Sequence, residues 1–192
     1  ANLNAGSGAI AISANTDGAG SDGYDQKAAS LLTSNTNLAA VTIAVNTAGG
    51  GTGDAVIGLG IIGNDSGGGI TVSSNAGNIL WSNHPSYTAF TTAQTGEAGG
   101  GSNSQTLKAY SYTFNTGANG SAGTAARPLQ LDNYGINGDV NTDPNLSATV
   151  GSGGLYVLAW DSAGNRDLTT GNLSAQGAGN ILVAAGNAGG HN

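Results

Sequence analysis

Cysteine and methionine are both missing from this 192-residue chain. The first absence excludes disulfides and thiolate metal sites, and the second leaves no readily oxidised sulfur. Positive charge is almost as scarce. Lys27, Lys108, Arg127 and Arg166 are the only four Lys and Arg residues, against eleven Asp and Glu, and they are spread along the chain. Phosphate backbones and anionic membrane surfaces are held by clustered cations, so neither nucleic acid nor such a membrane is an expected partner. No apolar run approaches the roughly 20 residues of a membrane helix. No start Met or signal peptide is visible, which suggests a processed or excised piece of a longer chain. The net charge of −7 and the Lys-poor, Asn/Thr/Gly-rich composition lean towards an extracellular location.

Glycine is what the chain has in excess: 35 residues, where average usage would give about 13. High glycine with low charge can signal disorder. Here the apolar residues cluster in short alternating runs, which a disordered tract has no reason to keep. The expectation is one ordered, turn-dense all-β domain over residues 1–192, large enough to bury a substantial core.

One pattern recurs. Gly177-Ala178-Gly179-Asn180-Ile181-Leu182-Val183-Ala184-Ala185 sets a glycine turn before an alternating apolar run. Four other segments fall into step with it, centred on Ile10, Ile70, Ile79 and Leu155. The shared template is roughly G-x-G-x-(I/L)-x-(I/V/W)-x. Ile70 and Ile79 are too close for more than one turn between them, which predicts neighbouring faces of a single coil. Leu155 and Ile181 are separated by the length of one three-faced coil. Repeated glycine-then-apolar order, with Gly and Asn at turn positions, predicts a right-handed parallel β-helix built of about eight coils of about 24 residues. Stacked Asn side chains would share amide hydrogen bonds up the stack. The competing architecture is an antiparallel β-sandwich. Strands are expected near 9–14, 38–46, 54–62, 107–114, 129–131, 146–150 and 168–174, with one or two helical turns over 25–32. On 107–114 the aromatic side, with Lys108, Tyr110, Tyr112 and Phe114, competes with the other for the interior. Long loop insertions are expected near 16–37, 83–106 and 115–145.

At Gly8–Asn15 and Gly179–Asn187 the chain resembles the β-solenoid repeats of large bacterial surface proteins, the filamentous-haemagglutinin-like and autotransporter-type adhesins. Their repeats read G-x-I-x-(I/V)-x-(A/S)-x-x-(G/N). The likeness covers about a third of the chain, and the insertions depart from the regular family repeat. It implies export to the cell surface and a structural or adhesive role within a longer polypeptide.

Candidate chemistry is sparse. Asp139, Asn141 and Asp143, followed by Asn145, place oxygen ligands at alternate positions, as the opening of a calcium loop does. Pro144 stands where that loop needs Gly, and Val150 stands at its closing Glu position. Asp17–Tyr24 fits one calcium nonapeptide, a motif that works in tandem copies. Gly49–Asp54 lacks the Lys of a phosphate loop. Asp161, Arg166 and Asp167 are the one mixed charge cluster, His84 and His191 have no visible partner, and no nucleophile elbow occurs. No cofactor is expected beyond a possible calcium ion. Trp81, Tyr87 and Phe90 are candidates for stacking on sugars. Ice binding would call for ranks of Thr-x-Thr on a flat face, and these are missing from the sequence. The expectation is therefore a non-catalytic extracellular module that self-associates or continues into tandem repeats by head-to-tail stacking. The alternative is a β-helix that binds cell-surface or matrix glycans or cleaves polysaccharide.

Overall fold

The computed structural model describes residues 2–64, 66–82, 107–132, 143–161 and 167–187, and each regular element among them is a β-strand. The first turn of the chain carries β1 (Leu3–Asn4), β2 (Ile10–Ala14) and β3 (Tyr24–Asp25). The second carries β4 (Leu31–Thr33), β5 (Val41–Val45) and β6 (Ala55–Ile57), and the third β7 (Ile62–Asn64), β8 (Gly69–Ser74) and β9 (Ile79–Trp81). The fourth carries β10 (Leu107–Lys108), β11 (Ser111–Thr116) and β12 (Ser121–Ala122). Then come β13 (Leu129–Asp132), β14 (Asn145–Val150), β15 (Gly154–Asp161), β16 (Thr169–Ala175) and β17 (Ile181–Asn187).

Each strand lies beside its counterpart one turn away, and every pairing is parallel. The fold is a parallel β-solenoid, and the antiparallel sandwich is excluded. One face is a 6-stranded sheet in the order β16-β14-β11-β8-β5-β2. It therefore counts six turns where the repeat spacing suggested eight, because turns run longer than 24 residues. Ile10, Val41, Ile70, Tyr112 and Leu146 stand in one row although 29 to 42 residues separate successive members.

The second face is an 11-stranded sheet of two columns, β1-β4-β7-β10-β13 and β3-β6-β9-β12, joined at β15. Its eight residues run across both columns: Gly154 and Leu155 pair with β12, and Val157 to Trp160 with β13. Between β12 and β13 the chain makes an excursion pinched at its base. Thr124 and Arg127 exchange backbone hydrogen bonds of 3.0 Å, and a Cβ on Gly123 (φ +70°) would meet the Leu129 nitrogen at 2.9 Å. The columns are thus one face that loops interrupt in the early turns and β15 and β17 cross unbroken.

The five template copies sort into these faces. Ile10 and Ile70 occupy one row of the 6-stranded sheet, and Ile79, Leu155 and Ile181 one row of the other. Leu155 pairs directly with Ile181, so that interval is one coil, and β8 and β9 are consecutive faces of one turn. The helical turns expected over 25–32 are not formed. β3 is followed by Gln26, whose buried amide donates to the Ala29 and Gly60 carbonyls (2.9 and 2.8 Å) and accepts the Gly58 N–H (3.1 Å), and then by β4. Segments 16–37 and 115–145, read as insertions, therefore supply coil strands β3, β4, β12 and β13. The third, 83–106, lies outside the described residues.

The core is filled by inward rows of Ile, Val, Leu, Tyr112 and Phe114, each fully buried aliphatic side chain contributing about 1.5–3 kcal/mol. On 107–114 the phase changes at a corner: Leu107, Ala109, Tyr112 and Phe114 are buried, so neither predicted side is wholly internal. Trp81 lies under Gly58. That glycine has φ +100°, and a Cβ there would meet the indole at 2.6 Å. Gly58→Ala is expected to lose about 2–4 kcal/mol, read as a lower midpoint in chemical denaturation. A midpoint equal to wild type would mean the indole has room to move.

Candidate functional site

The corners that follow the 6-stranded sheet carry a polar ladder. Asn15 and Asn46 take left-handed backbone angles (φ 50° and 59°), which point their side chains along the stack. Asn15 Nδ2 donates to Asn46 Oδ1 (2.7 Å), and Asn46 Nδ2 donates to the Gly53 carbonyl and Ser74 Oγ (2.7 and 3.1 Å). Asn46 Oδ1 also accepts the Gly53 N–H, and Ser74 Oγ the Gly77 N–H. This is the amide stacking expected from the turn residues, and its role is to satisfy buried backbone groups.

A second polar cluster marks the corner after β10. Lys108 and Asp132 are in register on β10 and β13, with Nζ 3.1 Å from Oδ2 and side chains 15% and 6% exposed. Beside them Tyr112 OH accepts the Ala109 N–H at 2.8 Å and reaches the Leu107 and Asp132 carbonyls at 2.9 and 2.8 Å. Burial holds the Tyr112 phenol well above its ordinary pKa, with Asp132 adding to that shift and the Ala109 hydrogen bond opposing it. The phenol ties the backbone of Leu107, Ala109 and Asp132 together beside the ion pair, so the cluster braces the corner. The other cation pair, Lys27 with Asp25, sits at the surface. It lowers the Asp25 pKa through the Lys27 hydrogen bond and adds little stability.

Among the candidates named from sequence, Trp81 is corrected. It is 3% exposed and belongs to the core, so it offers no face to a sugar. Tyr87 and Phe90 lie outside the described residues. So do Asp139 and Asn141. Of the remaining calcium candidates, Asp143 Oδ1 accepts the Asp167 N–H at 3.3 Å. Asn145 opens β14, donating to Thr169 Oγ1 and accepting from Ser147 Oγ. Both residues are thus engaged in cross-turn bonds. Among the described residues no three His, Asp or Glu side chains gather as a metal would require, and no helix is long and apolar enough to cross a membrane.

Two surfaces remain, the first expected from the sequence and the second not. The first is the pair of solenoid ends. β1, β2 and β3 at one end, and β16 and β17 at the other, each have a strand on one side only among the described residues. Apolar side chains reach the surface there: Leu3 is 48% and Ile181 43% exposed, and Ile12, Tyr24, Leu173 and Val183 are only half covered.

The second is the outer side of the 6-stranded sheet. Thr42, Thr71, Thr113 and Ser147 stand in register on successive strands. Two residues on, Ala44, Ser73, Asn115 and Thr149 form a parallel row. None of these strands carries Thr-x-Thr, but Thr-x-Ala, Thr-x-Ser, Thr-x-Asn and Ser-x-Thr stack in register, and the first row is hydroxyl throughout. All eight positions are partly or fully exposed. The signal was legible only through the inward rows, which set the phase of the outward ones. No family model, no curated protein and no solved structure matches the chain, which leaves its own geometry to bear on function.

Proposed function

We propose that this domain is a non-catalytic structural module of an extracellular, bacterial surface or fibre-forming protein, whose ends take further coils. The next coils would come from a neighbouring repeat or from a second copy stacked head to tail. One observation carries this reading: among the described residues the parallel stack stops at both ends with strand edges unpaired and interior side chains half covered. Unpaired edges template the addition of further strands, and a solenoid is stabilised by each added neighbour. Its buried polar groups support the same reading, since the ladder and the corner cluster are engaged in holding coils together.

Sedimentation velocity over a wide concentration range tests the proposal. Wild type is expected to form elongated species that grow with concentration. Ile181→Lys, which sets a charge on the exposed end row, is expected to stay monomeric with an unchanged circular dichroism spectrum. A wild type that remains monomeric throughout, together with a parent gene holding one unflanked copy, would overturn it.

A further inference from the structure

The outer side of the 6-stranded sheet has no explanation in coil stacking, because its side chains point away from both the core and the ends. We propose that this face binds the surface of ice. Three properties suit it to that ligand.

The first is spacing. Neighbouring strands place equivalent side chains about 4.7–4.9 Å apart, and alternate residues along a strand about 6.4–6.8 Å apart. A two-dimensional net with these repeats lies close to that of the oxygen lattice on the prism faces of hexagonal ice. Thr42, Thr71, Thr113 and Ser147 occupy consecutive points of the net, and Ser73 and Thr149 extend it in the second direction.

The second is chemistry. Ice is an uncharged array of donors and acceptors, and a charged side chain would hold its own hydration shell against it. The chain has fifteen Lys, Arg, Asp and Glu residues, four plus eleven, yet the outward positions of β2, β5, β8, β11 and β14 carry none. The hydroxyls of Thr71, Ser73, Thr113 and Thr149 have no protein partner among the described residues, which leaves them for water.

The third is stiffness. Thr is restricted at χ1, and directly beneath these rows lie the buried side chains of Ile43, Ile70, Val72, Tyr112 and Phe114. The net is therefore held in place before any ligand arrives, so little ordering entropy is lost on binding.

Other occupants fit less well. A sugar sheet is gripped by aromatic faces, and the aromatics of β11 point inward. A second copy laid face to face would need apolar area to bury, and apart from Ala44 these rows are hydroxyl and amide.

The full chain, fluorescently labelled, is tested for adsorption to a growing ice hemisphere and for thermal hysteresis. Wild type is expected to enter the ice and open a freezing gap. Thr71→Lys and Thr113→Lys, whose side chains leave the core untouched, are expected to lose at least five-fold of the gap. Ala19→Lys on an exposed loop is the control and should match wild type. Far-ultraviolet circular dichroism and melting confirm that each variant is folded. Exclusion of the wild type from ice overturns the proposal. So does ice binding that both Thr variants retain, or a face-to-face dimer or polysaccharide adsorption that they abolish while ice binding is absent.

Discussion

Tyr112→Phe is expected to cost about 1–3 kcal/mol and Tyr112→Ala about 3–5 kcal/mol or more. The two substitutions remove different things. Phe keeps the ring volume but deletes the hydroxyl, leaving the buried Ala109 N–H without its acceptor and the Leu107 and Asp132 carbonyls without the shared proton. Ala in addition empties one of the largest buried side-chain volumes in the core. The phenol also adds a pH signature. Its folded pKa lies above the ordinary value of 10.0, chiefly through burial. A group raised on folding contributes stability that is complete below its unfolded pKa and is lost as pH climbs towards the folded one. Wild type should therefore lose stability more steeply than Tyr112→Phe between about pH 9 and about pH 12. Urea melts of the two proteins across that range make the comparison. Parallel curves would mean the phenol ionises in the folded state as freely as in the unfolded chain.

Breaking the Lys108–Asp132 pair should have an effect of similar size. Asp132→Ala strands the Lys108 ammonium and Lys108→Ala removes the cation beside the Asp132 carboxylate, at sites only 15% and 6% exposed. Removing one partner of a buried pair costs about 3–5 kcal/mol, much of it the penalty of the charge left behind. Lys108→Ala combined with Asp132→Ala removes both charges and should cost clearly less than the two single losses together. The double-mutant cycle read by urea denaturation is the measurement. If the two single losses simply add, the charges are not coupled and water reaches them.

Inward rows were the legible part of this fold. A glycine turn followed by Ile-x-Ile or Leu-x-Val states both where a strand starts and which side faces in, and Ile10, Ile70, Ile79, Leu155 and Ile181 all occupy the positions that reading assigns. The number of turns was not legible. Coil length is not fixed: Tyr112 stands beside Ile70 in one row although 42 residues separate them, so a period of 24 fails there. Strands as short as Tyr24–Asp25 and Leu31–Thr33 show too little alternation to stand out from a loop. Lys108 and Tyr110 were grouped with Tyr112 because strict alternation was carried through a bend at Ala109 and Tyr110, where the strand pattern is interrupted. Trp81 looked like a surface aromatic for a related reason. Its place is made by the missing side chain of Gly58, a neighbour in space whose role local sequence does not announce. The Lys108–Asp132 pair and the hydroxyl rows needed cross-turn register, which only the coordinates supply.

β15 spans without a break the distance that β12 and β13 cover with a loop pinched out between Gly123 and Leu129. The same rung can therefore be built with or without an appendage. That makes this rung a grafting point: a foreign peptide spliced between residues 124 and 127 would be displayed from a rigid pedestal, while the rungs above and below kept their alignment.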